Sequence, residues 1–439
     1  ERLVRELEQR FGDKLDWWEF APGLVFVREF LDRVEDYWER GEGTILPDPK
    51  GPINHNLAIY GWDLRNTLSR NADLCQDVID ANPPQDDFLN QIVEHANERA
   101  ALLVLNSARS PSGSALPPIR AAAALGAEGS LETGSGDGIE TLIVMIGANN
   151  ALGSILTFKV AWSDVGYDDM ARNDRYTVWR PTHFQAEWNQ IVAELKQVRA
   201  RHVIVCTVPH VTIAPLAKGV GGKIAPGSRY FPYYTFPWLE NKNFDPAKNP
   251  HITAAEARAI DSAIDQYNDT IAASVRQARQ EGRDWYLFEL VSLLDRAAAR
   301  RYIEDPLARP SWWEEVGGSY PLPAPVQALS PAVDSRFFTS DKTGRQQGGL
   351  FSLDGIHPTT VGYGIMAQEL IKLMELAGVP FYRSDGTPYG PVQLDFQQLI
   401  QQDSLISNPP HLLSSSLSVI GWLDRNFNIF SRMLRSTVA

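Results

Sequence analysis

Thr141-Leu-Ile-Val-Met-Ile-Gly-Ala-Asn-Asn150 decides the fold class. A strand with one wet face alternates apolar and polar residues. The near-continuous apolar run from Thr141 to Ile146 instead fits a parallel strand covered on both faces. It stops at Gly147, and the polar Asn149 and Asn150 follow at once. Val203-Ile-Val-Cys-Thr-Val208 repeats the pattern and is stopped by Pro209. Trp285–Val291 repeats it again, and Ile53-Asn-His-Asn-Leu-Ala-Ile-Tyr60 reads as a short strand ending at Gly61. Cys206 sits inside an apolar run and reads as a buried free thiol.

Helical spacing fills the intervals. One face carries Leu3, Val4, Leu7 and Phe11, and the next carries Val27, Phe30, Leu31, Val34 and Trp38. Helical character returns near Phe88–Leu105, and again where Phe184, Trp188, Ile191, Leu195 and Val198 keep register. Thr253-Ala-Ala-Glu256 is a capping box. It opens a long helix through Ile260, Ile264, Tyr267, Ile271 and Val275, which closes at Gly282. Strands alternating with amphipathic helices predict an α/β domain with a parallel sheet. Ligands of such sheets bind at the carboxyl ends of the strands. Gly61 and the Gly147–Asn150 turn both fall there.

Three stretches read as insertions: 107–138, rich in Ser, Gly, Ala and Pro and read as a surface loop; 210–250, with Tyr230, Phe231, Tyr233, Tyr234, Phe236 and Trp238; and 305–349, rich in Pro, Gly and aromatic residues. Gly41–Pro52 is a shorter loop, and a polar loop is expected after Asn150. The aromatic group at 230–238 reads as packed over the domain, with a substrate-facing lid as the alternative. The main domain is expected to span 1–378, with 379–439 as an appendage. Within the appendage, Leu412–Met433 is apolar enough to dock on the main domain.

The chain has 439 residues and a formal net charge of -13, which argues against nucleic-acid binding through phosphate contacts. Its two cysteines, Cys75 and Cys206, make neither a disulfide framework nor a zinc site. No apolar run approaches the roughly 18 residues needed to span a membrane. Asp164, Asp168, Asp169 and Asp174 share one loop but lack calcium-loop spacing.

Phe351-Ser-Leu-Asp-Gly-Ile-His-Pro-Thr359 carries the chemistry. Asp354 stands three residues before His357, and Pro358 fixes the backbone behind it. An amphipathic helix follows, with Met366, Leu370, Leu373, Met374 and Ala377 expected on its buried face. A carboxylate beside an imidazole on a braced loop suits an acid–base pair: the histidine takes a proton and the acid holds its tautomer. The other histidines, His210 included, read as structural or exposed, although His210 follows a strand end and could line a cleft.

Together these blocks resemble the SGNH, or GDSL-type, hydrolase family. Asn56-Leu-Ala-Ile-Tyr-Gly61 is similar to its second block, Gly147-Ala-Asn-Asn150 to its third, and Asp354-Gly-Ile-His357-Pro358 to its fifth. The resemblance spans about 53–376. It implies a three-layer α/β/α fold with a parallel, flavodoxin-like sheet. It also implies an ester hydrolase of esterase or lipase type, working through a Ser-His-Asp triad and an acyl-enzyme. His357 would be the general base and Asp354 its orienting acid. The Gly61 backbone N–H and the Asn149 amide would form the oxyanion hole. No metal or organic cofactor is implied; a small-molecule or lipid ester is the expected substrate.

Two departures stand out. Asn150 occupies a position where the family usually has Asp. No Gly-Asp-Ser, the block that supplies the nucleophile, occurs in the 439 residues, and residues 1–52 hold no strand leading to such a serine. The expectation is therefore an upstream segment or companion peptide that completes the sheet and carries the serine. The alternative is a catalytically inactive binding protein on the same scaffold. Metal-dependent hydrolysis is disfavoured, since no second histidine stands at ligand spacing from His357.

Overall fold

A computed structural model describes residues 1–12, 20–84, 93–128, 138–173 and 175–413. The expected docking segment is described only at Leu412 and Leu413, and residues 88–92 and Asp174 lie outside the described residues. The main elements are, in chain order, α1 (Arg2–Phe11), α2 (Phe20–Glu39), α3 (Leu64–Ser69), α4 (Ala72–Ala81), α5 (Ala96–Leu105) and α6 (Pro118–Glu128). They continue with β1 (Ile139–Val144), α7 (Asn149–Leu156), α8 (Pro181–Leu195), β2 (Ala200–Cys206), α9 (Ala254–Gln280), β3 (Trp285–Phe288), α10 (Thr360–Leu376) and α11 (Phe396–Gln402). The chain is a mixed α/β protein with a parallel three-stranded sheet.

The chain divides into two compact units. Among the described residues, one comprises those within 27–208 and 263–287; the other comprises those within 1–26, 209–262 and 288–413. The first holds the sheet, in the order β1-β2-β3. β1 and β2 run parallel, with Leu142 opposite Val203 and Val144 opposite Val205. β2 has the core position: Val203, Ile204, Val205 and Cys206 are all buried. Burial pushes the Cys206 thiol up to about 12. A neighbouring cluster joins Trp62, Cys75, Leu102, Leu105 and Ala121.

In the second unit, α1 turns Val4 into a cluster with Phe338, Leu405 and Leu413. A small antiparallel sheet of Lys218–Val220, Tyr233–Thr235 and Ile252–Thr253 holds the aromatic insertion. Tyr230, Tyr234 and Phe236 are buried there, as expected of a packed insertion. The capping box forms: Thr253 Oγ1 accepts from Glu256 N at 3.3 Å, and Glu256 Oε2 accepts from Thr253 N at 2.7 Å.

Five expectations are corrected. Ile53–Tyr60 forms no strand, because asparagine side chains take the backbone donors a ladder would use. Asn54 Oδ1 accepts from Asn56 N, and Asn56 Oδ1 accepts from Ala58 N. The 107–138 insertion contains α6, where Pro118 suits a first helical turn and the alanines that follow favour helix. Asn149 opens α7 rather than a polar loop. β1 is not covered on both faces: it is an edge strand among the described residues, with Ile143 44 % and Met145 57 % exposed. Finally, α10 buries Val361, Gly364, Ile365 and Gln368 rather than its Met366–Leu370 face. A Cβ at Gly364 would meet Leu399 at 2.5 Å, so α11 crosses where α10 is narrowest.

Candidate active site

The loop before α10 is closed on itself. Ser352 N donates to His357 O at 2.8 Å, Gly355 N donates to Ser352 O, and Phe351 bridges to Pro358. Gly355 takes φ +68°, and a Cβ there would come within 2.8 Å of Leu216 N, so glycine is required. Leu216 N donates to the Gly355 carbonyl and ties the loop to its neighbour. Thr359 Oγ1 caps α10 by accepting from Gly362 N at 3.2 Å, while its own hydroxyl donates to Gly349 O. The chain leaves this loop straight into a rigid helix.

Asp354 and His357 meet on that support. His357 Nδ1 lies 2.7 Å from Asp354 Oδ2. Asp354 Oδ1 accepts from the backbone N–H groups of Ile356 and His357 and from the Ser352 hydroxyl. Burial pushes the Asp354 carboxyl up, but the bonds from His357 and the two backbone donors outweigh it. The group titrates below its ordinary range. The same hydrogen bond raises the His357 imidazole above its usual value. The bond fixes the proton on Nδ1 and leaves Nε2 as the basic atom. His357's side chain is 59 % exposed, and among the described residues Nε2 has no hydrogen-bond partner. Ser352's bond to Asp354 was not anticipated, although its place two residues before the acid was a usable signal.

Gly61 and Asn149 form the second pair, in the sheet-bearing unit. Asn149 Nδ2 donates to the Trp62 carbonyl at 2.7 Å, which sets the side chain beside the Gly61–Trp62 turn. An amide nitrogen has two hydrogens, so one remains to donate. Gly61 is exposed, takes φ +76°, and its N–H has no acceptor among the described residues. A Cβ at Gly61 would meet Asn97 Nδ2 at 2.7 Å. Gly147 takes φ +113°, where a Cβ would meet Val208 at 2.8 Å and Phe184 at 3.1 Å. The start of α7 therefore lies hard against the core. Asn150 is fully buried and accepts from Leu64 N at 3.4 Å, a structural role. Thus each predicted pair comes together, one pair in each unit.

The remaining histidines sit elsewhere. His210 is buried and paired with Asp295 at 3.0 Å, and His202 is buried against Asp284. His183 Nδ1 bonds the fully buried Ser163, whose oxygen also accepts from Arg180 N. A serine with no exposure is out of reach of a substrate. Among the described residues no three His, Cys, Asp or Glu side chains converge as a metal site, and no helix is long and apolar enough to cross a membrane. Comparison of the chain with protein-family models, curated proteins and solved structures finds no match.

Proposed function

We propose that the chain acts as an ester hydrolase of the SGNH type, on a three-layer α/β/α framework with a flavodoxin-like sheet. The observation that carries this reading is the Asp354–His357 pair, with Nδ1 held at 2.7 Å and the basic side of the ring open. In the reaction, His357 Nε2 takes the proton of a serine hydroxyl as the oxygen attacks the ester carbonyl. It returns that proton to the leaving alcohol, and water then hydrolyses the acyl-enzyme by the same route. Asp354 keeps the imidazolium oriented and charge-balanced. The Gly61 N–H and the free hydrogen of Asn149 would hold the oxyanion, each such donor contributing about 3–4 kcal/mol. This chemistry calls for no metal or organic cofactor.

The serine is assigned to a strand outside these 439 residues. The position of β1 supports that assignment, since among the described residues it ends the sheet with β2 on one side only. A lipid or other acyl ester suits the two aromatic insertions better than an acetylated sugar. The second reading, an inactive binding protein, is favoured by the absence of Gly-Asp-Ser from the sequence.

The test is intact-protein mass spectrometry of native material, before and after a fluorophosphonate probe. The hydrolase reading expects a species that contains this chain, or a companion peptide, to gain the probe mass, and expects His357→Ala to abolish the gain. Native material that consists of this chain alone and takes no label supports the binding protein instead.

A further inference from the structure

A cavity of about 20 Å³ lies in the second unit, the one that holds Asp354 and His357. On this measure one water needs roughly 10–15 Å³, so the enclosed space is that of one or two waters. Its wall includes a short π-turn, Ala299–Ile303, which sets Arg300 and Arg301 in succession beside Arg229.

The charges in this wall do not balance. Arg301 is buried, with Nη1 2.9 Å from Asp261 Oδ2, and it also donates to the Thr212 hydroxyl. Asp261 accepts in addition from Thr212 at 2.5 Å and from the Tyr230 hydroxyl at 3.0 Å. That carboxylate is fully engaged with Arg301. Arg229 and Arg300 have only neutral acceptors. Arg229 donates to the Tyr230 and Tyr302 hydroxyls at 3.1 and 3.2 Å, and Arg300 donates to the Ala217 carbonyl at 3.2 Å. Among the described residues no carboxylate forms an ion pair with either. The nearby acids are engaged elsewhere, Glu304 with Arg336 at 2.5 Å and Asp295 with His210 at 3.0 Å.

Two half-buried guanidinium groups that no carboxylate pairs directly are costly in a folded protein, although Glu304 and Asp261 act on them from a distance, and a bound anion offsets that cost. Guanidinium forks match the paired oxygens of carboxylate and phosphate. The Ser335 hydroxyl adds a donor: its oxygen accepts from Ala299 N at 2.8 Å, and its own hydrogen remains available.

We propose that this cavity is an oxyanion-binding site that takes the head of a phosphate or carboxylate between Arg229 and Arg300, over a rigid Arg301–Asp261 floor. Neither Asp354 nor His357 lines the cavity, and the proposal does not rest on the hydrolase reading.

The experiment is isothermal titration of the full chain with inorganic phosphate and, separately, with butyrate, at an ionic strength matched with sodium chloride. One or both should bind saturably at one per chain, and which one does identifies the head group. Arg300→Gln and Arg229→Gln should each weaken binding at least tenfold, while Arg120→Gln, at an exposed arginine paired with Glu194, should leave it unchanged. Circular dichroism shows which variants fold, and either folded variant decides the matter. Binding of neither anion above the chloride background, or binding that survives in a folded Arg229 or Arg300 variant, overturns the proposal.

Discussion

His357 is the residue on which the reading turns, and its titration can be measured without the serine. Its hydrogen bond to Asp354 raises the imidazole above its usual value. A base must be neutral to accept a proton, so the rising limb of a pH–rate profile moves above the ordinary histidine range of about 6.5. In an NMR titration of the ring protons, Asp354→Asn should bring the midpoint back down; an unchanged midpoint would mean the pair does not persist in solution. The linkage sign follows. A raised histidine contributes stability that is present below its unfolded value and is lost as pH climbs through its folded value. Asp354, being lowered, works the opposite way, and its contribution is lost as pH falls. Asn149 gives a second check at this scale. Asn149→Ala removes one oxyanion donor and should slow fluorophosphonate labelling of the native protein about 10²–10³-fold. The His357 titration should not move. Equal labelling rates would remove Asn149 from the oxyanion hole.

At the scale of elements, β1 is the exception to an otherwise ordinary sheet. Its sequence is that of a buried strand, yet it ends the sheet among the described residues, with Ile143 and the following Met145 exposed. Such an edge pairs readily with another strand. Ile143→Lys should therefore reduce concentration-dependent association of the 439-residue chain in light scattering, with thermal stability little changed. Association that persists at wild-type level would place the adhesive surface elsewhere. The same element shows where sequence reading succeeds and fails. β1, β2 and α9 were legible because apolar runs and the Thr253–Glu256 box are local signals. Asp354 and His357 were legible for the same reason, being three residues apart. Ile53–Tyr60 was misread because its apolar pattern does not reveal asparagine side chains capturing the backbone. The buried face of α10 was misread because α11 crosses over Gly364, where small residues permit close approach and large ones do not. The arginine cavity left no trace in the sequence, since Arg229, Asp261 and Arg300 are far apart along the chain.

For the whole molecule, the functional residues divide by chain segment. The Gly61–Asn149 pair belongs to the sheet-bearing unit, while the Asp354–His357 pair and the arginine cavity belong to the other. The net charge of -13 makes a cavity with surplus arginine stand out further. Ligand that binds only the folded state stabilises it by RT ln(1 + [L]/Kd), about 2.7 kcal/mol at a hundredfold excess over Kd. That stabilisation should appear first where the anion is held. In hydrogen exchange followed by mass spectrometry, saturating phosphate or butyrate, whichever binds, should slow exchange in peptides covering 212–235 and 298–303. Peptides covering β1 and β2 should exchange as before, because no residue lining the cavity lies in their unit. Protection spread evenly over both units, and matched by sodium chloride at the same ionic strength, would mean that the anion acts on global stability through the bulk salt. Protection confined to the arginine-bearing segments would show a built site, in which the π-turn at Ala299–Ile303 becomes rigid on the ligand.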